Sequence, residues 1–101
     1  MSVIVIGRFQ ADAGKMKELF ESHKDDFMAL HEQSLPLGAK HHQFVAGDNG
    51  EVLFIDEWDS RDGFQNFMQA QTKIPELMQQ VGATGAPDIS FYEVLDSPDK
   101  F

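Results

Sequence analysis

Residues 40–58, KHHQFVAGDNGEVLFIDEW, place two runs of β-branched and aromatic residues on either side of an Asn-Gly pair. Asn49-Gly50 is the strongest short signal for a β-hairpin, because both residues readily take the positive φ that a tight turn needs. We therefore predict a strand from Lys40 to Ala46, a turn at Asp48-Asn49-Gly50 and a strand from Val52 to Trp58. The hairpin defines two neighbouring antiparallel strands, around which the other elements are arranged.

The segment before the hairpin predicts one strand and one helix. Val3 to Gln10 is rich in β-branched residues and is predicted as strand one. Asp12 is a suitable N-cap for a helix from Lys15 to Glu32, and the stretch from Leu35 to Gly38 ends that helix. The helix is indicated by apolar residues at helical spacing, namely Met16, Leu19, Phe20, Phe27 and Leu30.

The segment after the hairpin predicts a second helix, a short extra helix and a last strand. Ser60 is expected to cap the second helix, and Pro75 suits the first turn of the short one. After a loop from Gly82 to Pro87, the stretch from Ile89 to Leu95 is predicted as strand four. The order β-α-β-β-α-β predicts a ferredoxin-like α+β fold, a four-stranded antiparallel sheet with its helices on one face.

Composition and charge exclude several classes of protein. The 101 residues predict a single domain over 1–101. Lys and Arg number 8 against 17 Asp and Glu, a net charge of −9 that argues against nucleic acid or an anionic membrane as partner. The chain has no cysteine, which excludes disulfides and thiolate chemistry. The apolar start is interrupted by Arg8, so neither a signal peptide nor a spanning helix is expected, and a cytoplasmic protein is predicted.

Both faces of the predicted sheet are apolar. Strand one offers Val3, Val5 and Phe9 to one face and Ile4 and Ile6 to the other. Two helices cover only one face, and an antiparallel sheet open to water usually shows polar residues on its second face. The simplest cover is the same face of a second copy. We therefore expect a homodimer formed through the sheet faces.

Several segments resemble the antibiotic biosynthesis monooxygenase family of dimeric α+β barrels. The resemblance is carried by Phe9-Gln10 leading into Gly14-Lys15-Met16, by the hairpin with Gly47 to Gly50, and by Glu57-Trp58-Asp59-Ser60 entering the second helix. It covers nearly the whole chain and implies the fold and the dimer. The superfamily includes cofactor-free quinone-forming oxygenases, heme-degrading oxygenases, isomerases and members with no known activity.

Individual positions favour one branch of that superfamily over another. The quinone-forming branch has a Trp at the end of strand three, an Asn four residues earlier and a Tyr six residues later. This chain keeps the Trp as Trp58 but has Phe54 in place of the Asn and Phe64 in place of the Tyr. The heme-degrading branch has an Asn, a Trp and a His at three positions. The matching positions of this chain hold Gly7, Phe67 and Leu77, so none of the three is kept. The resemblance thus implies oxygenation without a cofactor.

The hairpin register indicates which side chains share a face. If Asn49-Gly50 is a two-residue turn, His41 lies opposite Trp58 and Gln43 opposite Asp56, and a four-residue loop keeps the same faces. One face then carries His41, Gln43, Val45, Phe54, Asp56 and Trp58. The other carries His42, Phe44, Leu53, Ile55 and Glu57. By the resemblance, the face with His41 and Asp56 lines a pocket between the sheet and the helices.

His23 is expected to enter the same pocket, because it lies on the helix stripe between Phe20 and Phe27. We predict that His23 or His41 acts as a base there. Substrate contacts are predicted from Gln43, Phe54, Asp56, Trp58 and Phe64. No metal site is expected, because His23 and His31 are about 12 Å apart along one helix.

Structural roles for the same residues stay open at this point. His23 suits a hydrogen-bonded core residue, His42 suits packing at the dimer face, and Arg8 is a possible ion-pair partner for Asp56. Three functions remain: an enzyme acting on a small apolar or aromatic molecule, a non-catalytic small-molecule-binding module, and a structural homodimer whose interior is filled by its own nine Phe side chains.

Overall fold

A computed structural model describes residues 2–83 and 86–101. Its strands are β1 (Val3–Gln10), β2 (Ala39–Ala46), β3 (Glu51–Trp58) and β4 (Asp88–Glu93), and its helices are α1 (Ala13–Ser22), α2 (Lys24–Ser34), α3 (Arg61–Ala70) and α4 (Lys73–Gln79). A short 3₁₀ turn at Leu35–Leu37 joins α2 to β2. The predicted α+β fold is confirmed, whereas part of the predicted loop from Gly82 to Pro87 lies outside the described residues.

The four strands form one antiparallel sheet in the order β2-β3-β1-β4. The central strand β1 pairs with β3 from Val3 opposite Trp58 to Gln10 opposite Glu51. We call the face of the sheet that lies under the helices the inner face. Val5 of β1 lies on this face and has no exposed surface. The predicted helix caps are present, since Asp12 accepts a hydrogen bond from the Lys15 amide and Ser60 accepts one from the Gly63 amide.

The single helix predicted from Lys15 to Glu32 is wrong, because the chain breaks at His23 into α1 and α2. His23 has φ −120° and ψ 33°, outside the helical region. Its Nδ1 lies 3.0 Å from Oδ2 of Asp26, in the first turn of α2. The backbone hydrogen bonds nevertheless continue on both sides of His23, whose amide donates to the Leu19 carbonyl at 2.8 Å and whose carbonyl accepts from the Phe27 amide at 3.1 Å. The Phe20 and Phe27 rings still meet across the break, 5.1 Å apart.

The hairpin register differs from the predicted one by a single residue. The Gly47 amide donates to the Glu51 carbonyl at 2.8 Å, and Gly50 has φ +80°. The loop therefore holds three residues, with a left-handed glycine last, rather than two or four. Because side chains alternate along a strand, an odd shift moves every β2 side chain to the opposite face.

The observed pairs place His42 opposite Asp56 and Phe44 opposite Phe54. The predicted faces of β2 are therefore wrong: His41 and Gln43 occupy outer-face positions. A bulge between Ala39 and His41 returns Ala39 to the inner face, opposite Trp58. The β3 residues keep the predicted grouping, with Phe54, Asp56 and Trp58 together on the inner face.

Two glycines permit close approaches that shape the interior. A Cβ on Gly7 would lie 2.0 Å from the Phe54 ring, so that ring lies across the β1 backbone. A Cβ on Gly63 would lie 2.3 Å from the Leu37 carbonyl oxygen, so α3 begins directly against the turn that precedes β2. Among the residues that the structure describes, no helix is both long and apolar enough to cross a membrane.

Candidate functional site

A cavity of about 940 Å³ lies between the inner face of the sheet and the helices. Aromatic and methionine side chains from both layers form most of its wall, including Phe27, Phe44, Phe54, Phe64, Phe67 and Met68. Volumes of 300–1,000 Å³ with a few converging polar groups are typical of small-molecule sites. The chain therefore leaves a space between the sheet and the helices that its own side chains do not fill.

Asp56 is the buried polar centre of this wall. The residue is 6 % exposed, and its two carboxylate oxygens have different partners. Oδ1 lies 2.5 Å from Nδ1 of His42, and Oδ2 accepts the indole N–H of Trp58 at 3.1 Å. A buried carboxylate is costly unless it is hydrogen-bonded. The two contacts explain how Asp56 is accommodated inside an apolar wall.

The contact with Asp56 favours one tautomer of His42. A carboxylate only accepts hydrogen bonds, so the neutral imidazole carries its proton on Nδ1 and leaves Nε2 with a free lone pair. The ring packs edge-on against Phe44 with centroids 4.8 Å apart, while about half of the side chain stays exposed. His42 lines the cavity, so a bound molecule can reach its imidazole.

Trp58 anchors the carboxylate from the other side. Its ring is 2 % exposed and packs against Phe64 at 5.7 Å and Phe67 at 5.5 Å. Phe64 in turn packs against Phe54 at 6.1 Å. This aromatic cluster fixes the indole N–H, and through it the orientation of Asp56.

The structure brings together only some of the predicted site residues. Five of the seven line the cavity, namely His41, Phe54, Asp56, Trp58 and Phe64. His23 does not, because its imidazole is bonded to Asp26. Gln43 is also outside the wall, opposite Ile55 on the other face. His41 borders the cavity, although its strand position is opposite Glu57 on the outer face.

His42 is the site residue that the sequence argument missed. The signal that would have found it is the pair Gly47 and Gly50 around Asp48-Asn49, which suits a three-residue loop with a left-handed glycine. The ion pair between Arg8 and Asp56 is also absent, because Arg8 Nε lies 3.0 Å from Oε2 of Glu51. Over residues 2–83 and 86–101, no three His or carboxylate side chains converge as a metal site would require.

Comparison with known proteins gives the fold a wider context. No protein-family model matches the chain, and no curated protein matches its sequence. Among solved structures, SnoaB, a cofactor-independent oxygenase from Streptomyces nogalater, matches with a TM-score of 0.63 at 12% identity over 98% of each chain. The ActVA-Orf6 monooxygenase of Streptomyces coelicolor, in complex with nanaomycin D, matches with a TM-score of 0.65 at 19% identity over 95% of this chain and 93% of that one.

The chain has the fold of these monooxygenases. A conserved protein from Methanosarcina mazei Go1 shares it too, with a TM-score of 0.65 at 15% identity over 91% of each chain. The resemblance stated from the sequence is thus confirmed for the fold. At such identities the reaction has to be argued from the site itself.

Proposed function

We propose that this protein is a cofactor-independent monooxygenase that oxidises a small hydroxylated aromatic molecule in the cavity. The observation that carries the proposal is the buried Asp56 that joins His42 to Trp58 in the cavity wall. A carboxylate bonded to Nδ1 of an imidazole is a common way to orient a general base. His42 takes the role that the sequence assigned to His23 or His41.

The chemistry requires only the substrate, dioxygen and this base. Nε2 of His42 removes the proton of an aromatic hydroxyl, and the resulting anion is a strong electron donor. Electron transfer to dioxygen, followed by bond formation at a ring carbon, gives a peroxide that the imidazolium protonates. Loss of the remaining proton from that carbon cleaves the O–O bond and releases water. The substrate thus loses two hydrogens and gains one oxygen as a carbonyl.

The other residues of the wall have supporting roles in this scheme. Asp56 stabilises the imidazolium that forms when His42 accepts a proton. Trp58 is a positioning residue, since its indole N–H holds the second oxygen of Asp56. Phe54 and Phe64 supply apolar surface against which an aromatic ring packs. The described similarity to SnoaB and ActVA-Orf6 supports the same class of reaction.

The proposal is tested with hydroxyanthrones as probes, measuring oxygen uptake and the absorbance of the quinone product. We expect His42→Gln to lower the rate by about 10²-fold or more, because a general base typically contributes that much. His23→Gln removes a histidine that does not line the cavity, so it is the control and should keep nearly the wild-type rate. Equal losses in both variants, or a full rate in His42→Gln, would contradict the assignment. Binding of the probe without any oxygen uptake would favour the non-catalytic binding module instead.

We also propose that two copies associate through the outer faces of their sheets. Ile4, Ile6 and Ile55 are neighbours on that face and are only half-buried in one chain. Tyr92 on the same face is 54% exposed. Apolar side chains in this number favour a covering partner. The cytoplasmic location expected from the sequence stays a prediction.

A further inference from the structure

Two pairs of adjacent residues have the composition that favours attack of the backbone on a side chain. In such a pair the amide nitrogen that follows an Asn or Asp attacks the side-chain carbonyl carbon and closes a succinimide ring. A glycine in second place favours the attack, because no Cβ obstructs the nitrogen. The pairs are Asn49-Gly50 in the hairpin loop and Asp62-Gly63 in the first turn of α3.

The attacking nitrogen of the second pair is already engaged. The Gly63 amide donates to the Ser60 hydroxyl oxygen at 3.1 Å, and Gly63 is buried where α3 begins against Leu37. This hydrogen bond is the N-cap of α3. The nitrogen becomes available only when the first turn of the helix opens. The fold therefore protects Asp62 from the reaction.

The attacking nitrogen of the first pair is not held in this way. Within residues 2–83 and 86–101, the Gly50 amide donates no hydrogen bond of normal geometry, although the Gly50 carbonyl accepts one from the Ala11 amide at 3.2 Å. Asn49 and Gly50 are both exposed. Water therefore reaches the reacting groups, and the fold leaves this pair unprotected.

We infer that Asn49 is a site of spontaneous deamidation in the folded protein. The Gly50 nitrogen loses its proton and forms a bond to Cγ of Asn49, the bond from Cγ to the side-chain nitrogen breaks, and ammonia leaves. Water then opens the succinimide at one of its two carbonyl carbons. One opening gives aspartate at position 49, and the other gives isoaspartate, whose main chain is one carbon longer. Water is the only co-reactant, and the reaction is independent of any oxygenase activity.

The isoaspartate product should weaken the hairpin, because hydrogen bonds hold the loop on both sides of position 49. The Gly47 amide donates to the Glu51 carbonyl at 2.8 Å, and the Gly50 carbonyl is held by the Ala11 amide. The length of a hairpin loop determines its turn geometry. An extra main-chain carbon between these two fixed points must therefore strain or break one of the bonds.

The same loop sets the pairing of β2 with β3. Its odd number of residues places His42 opposite Asp56 on the inner face. A strained loop should therefore loosen the strand that carries His42. Deamidation thus links the age of a molecule to the order of its cavity wall.

The inference is tested by ageing the purified full-length protein at mildly alkaline pH and mapping its peptides by mass spectrometry. A parallel sample is aged in urea, which gives the rate of each site without the fold. Isoaspartate is counted in each peptide by methylation with an isoaspartyl carboxyl methyltransferase. Asn66 is the internal control, because it is exposed like Asn49 but lies inside α3 and precedes the bulky Phe67.

We expect Asn49 in the folded protein to deamidate within about threefold of its rate in urea, because exposed loops open at almost no cost in free energy. Asp62 should form isoaspartate at least about tenfold more slowly in the folded protein than in urea, since its glycine amide is bonded within a helix. Asn66 should stay intact in the folded protein. Absence of ammonia loss at Asn49, or protection of Asn49 as strong as that expected for Asp62, would overturn the inference.

Thermal denaturation tests the consequence for the hairpin. Asn49→Asp carries the charge of one product without the longer main chain and should melt within about 2 °C of wild type. The isoaspartate form, purified from aged protein, should melt about 4 °C or more below wild type. Aged Asn49→Gln should keep its melting temperature, because its longer side chain closes a ring less readily. An isoaspartate form that melts with wild type, or an equal loss in aged Asn49→Gln, would overturn this consequence.

Discussion

Asp56 shows how a single side chain couples the stability of the interior to the chemistry of the cavity. Its carboxylate satisfies the buried indole N–H of Trp58 and also fixes the tautomer of His42. Among the described residues, no buried side-chain nitrogen or oxygen is left without a hydrogen-bond partner. The same carboxylate therefore has a structural role on one oxygen and the proposed functional role on the other.

Removing that carboxylate should destabilise the protein. Asp56→Ala leaves the Trp58 N–H without an acceptor in an apolar wall, and we expect the free energy of unfolding to fall by about 1–3 kcal/mol. Chemical denaturation followed by tryptophan fluorescence measures the change directly. The exposed Asp88→Ala is the control and should stay within about 0.5 kcal/mol of wild type. A neutral result at Asp56 would show that the Trp58 bond contributes nothing to stability.

The elements show which part of the architecture can be derived from the sequence. The strands and the inner grouping of Phe54, Asp56 and Trp58 follow from residue type and alternation, which act locally. The break at His23 could not be predicted from the sequence, because the apolar stripe continues across it, as do the helical hydrogen bonds made by the His23 amide and carbonyl. The sequence did not predict that His42 would lie opposite Asp56 on the inner face either. That position depends on whether the hairpin loop holds an odd or an even number of residues.

The hairpin loop offers a direct test of that geometry. Gly50 has φ +80°, so Gly50→Ala should destabilise the protein by about 1–2 kcal/mol, the cost of a left-handed conformation for an ordinary residue. Gly47 flanks the same loop without a positive φ, and a Cβ there meets neighbours only at 3.5 Å or more. Gly47→Ala should therefore be close to neutral in thermal denaturation. Equal destabilisation by both substitutions would argue against the three-residue loop.

The two faces of the sheet have different proposed roles. The inner face of the sheet carries the cavity wall, and the outer face carries the half-buried isoleucines for which a second copy was proposed. His41 and His42, although adjacent, take strand positions on different faces of the sheet. A one-residue change in register would exchange them.

Ile55 lies on that outer face opposite Ile6 and is the position to test for association. We expect the wild type to sediment as a dimer and Ile55→Glu to sediment as a folded monomer, because the substitution places a charge in an apolar interface. Gln33→Glu, on an exposed position of α2, adds the same charge elsewhere and should leave the dimer intact. A wild-type monomer, or an Ile55→Glu dimer, would refute association through this face. Circular dichroism confirms that each variant is folded.

The bulge in β2 also limits how copies of the chain can aggregate. β2 is an edge strand, and its free backbone groups are a potential template for strand-by-strand growth into fibres. The irregularity between Ala39 and His41 interrupts that template, and the Lys40 ammonium beside it is held by Asp59 at 3.1 Å and by Ser2 at 2.6 Å. A twisted edge with a fixed charge is a poor partner for another flat strand. The feature that returns Ala39 to the cavity side thus also protects the sheet from edge-to-edge polymerisation.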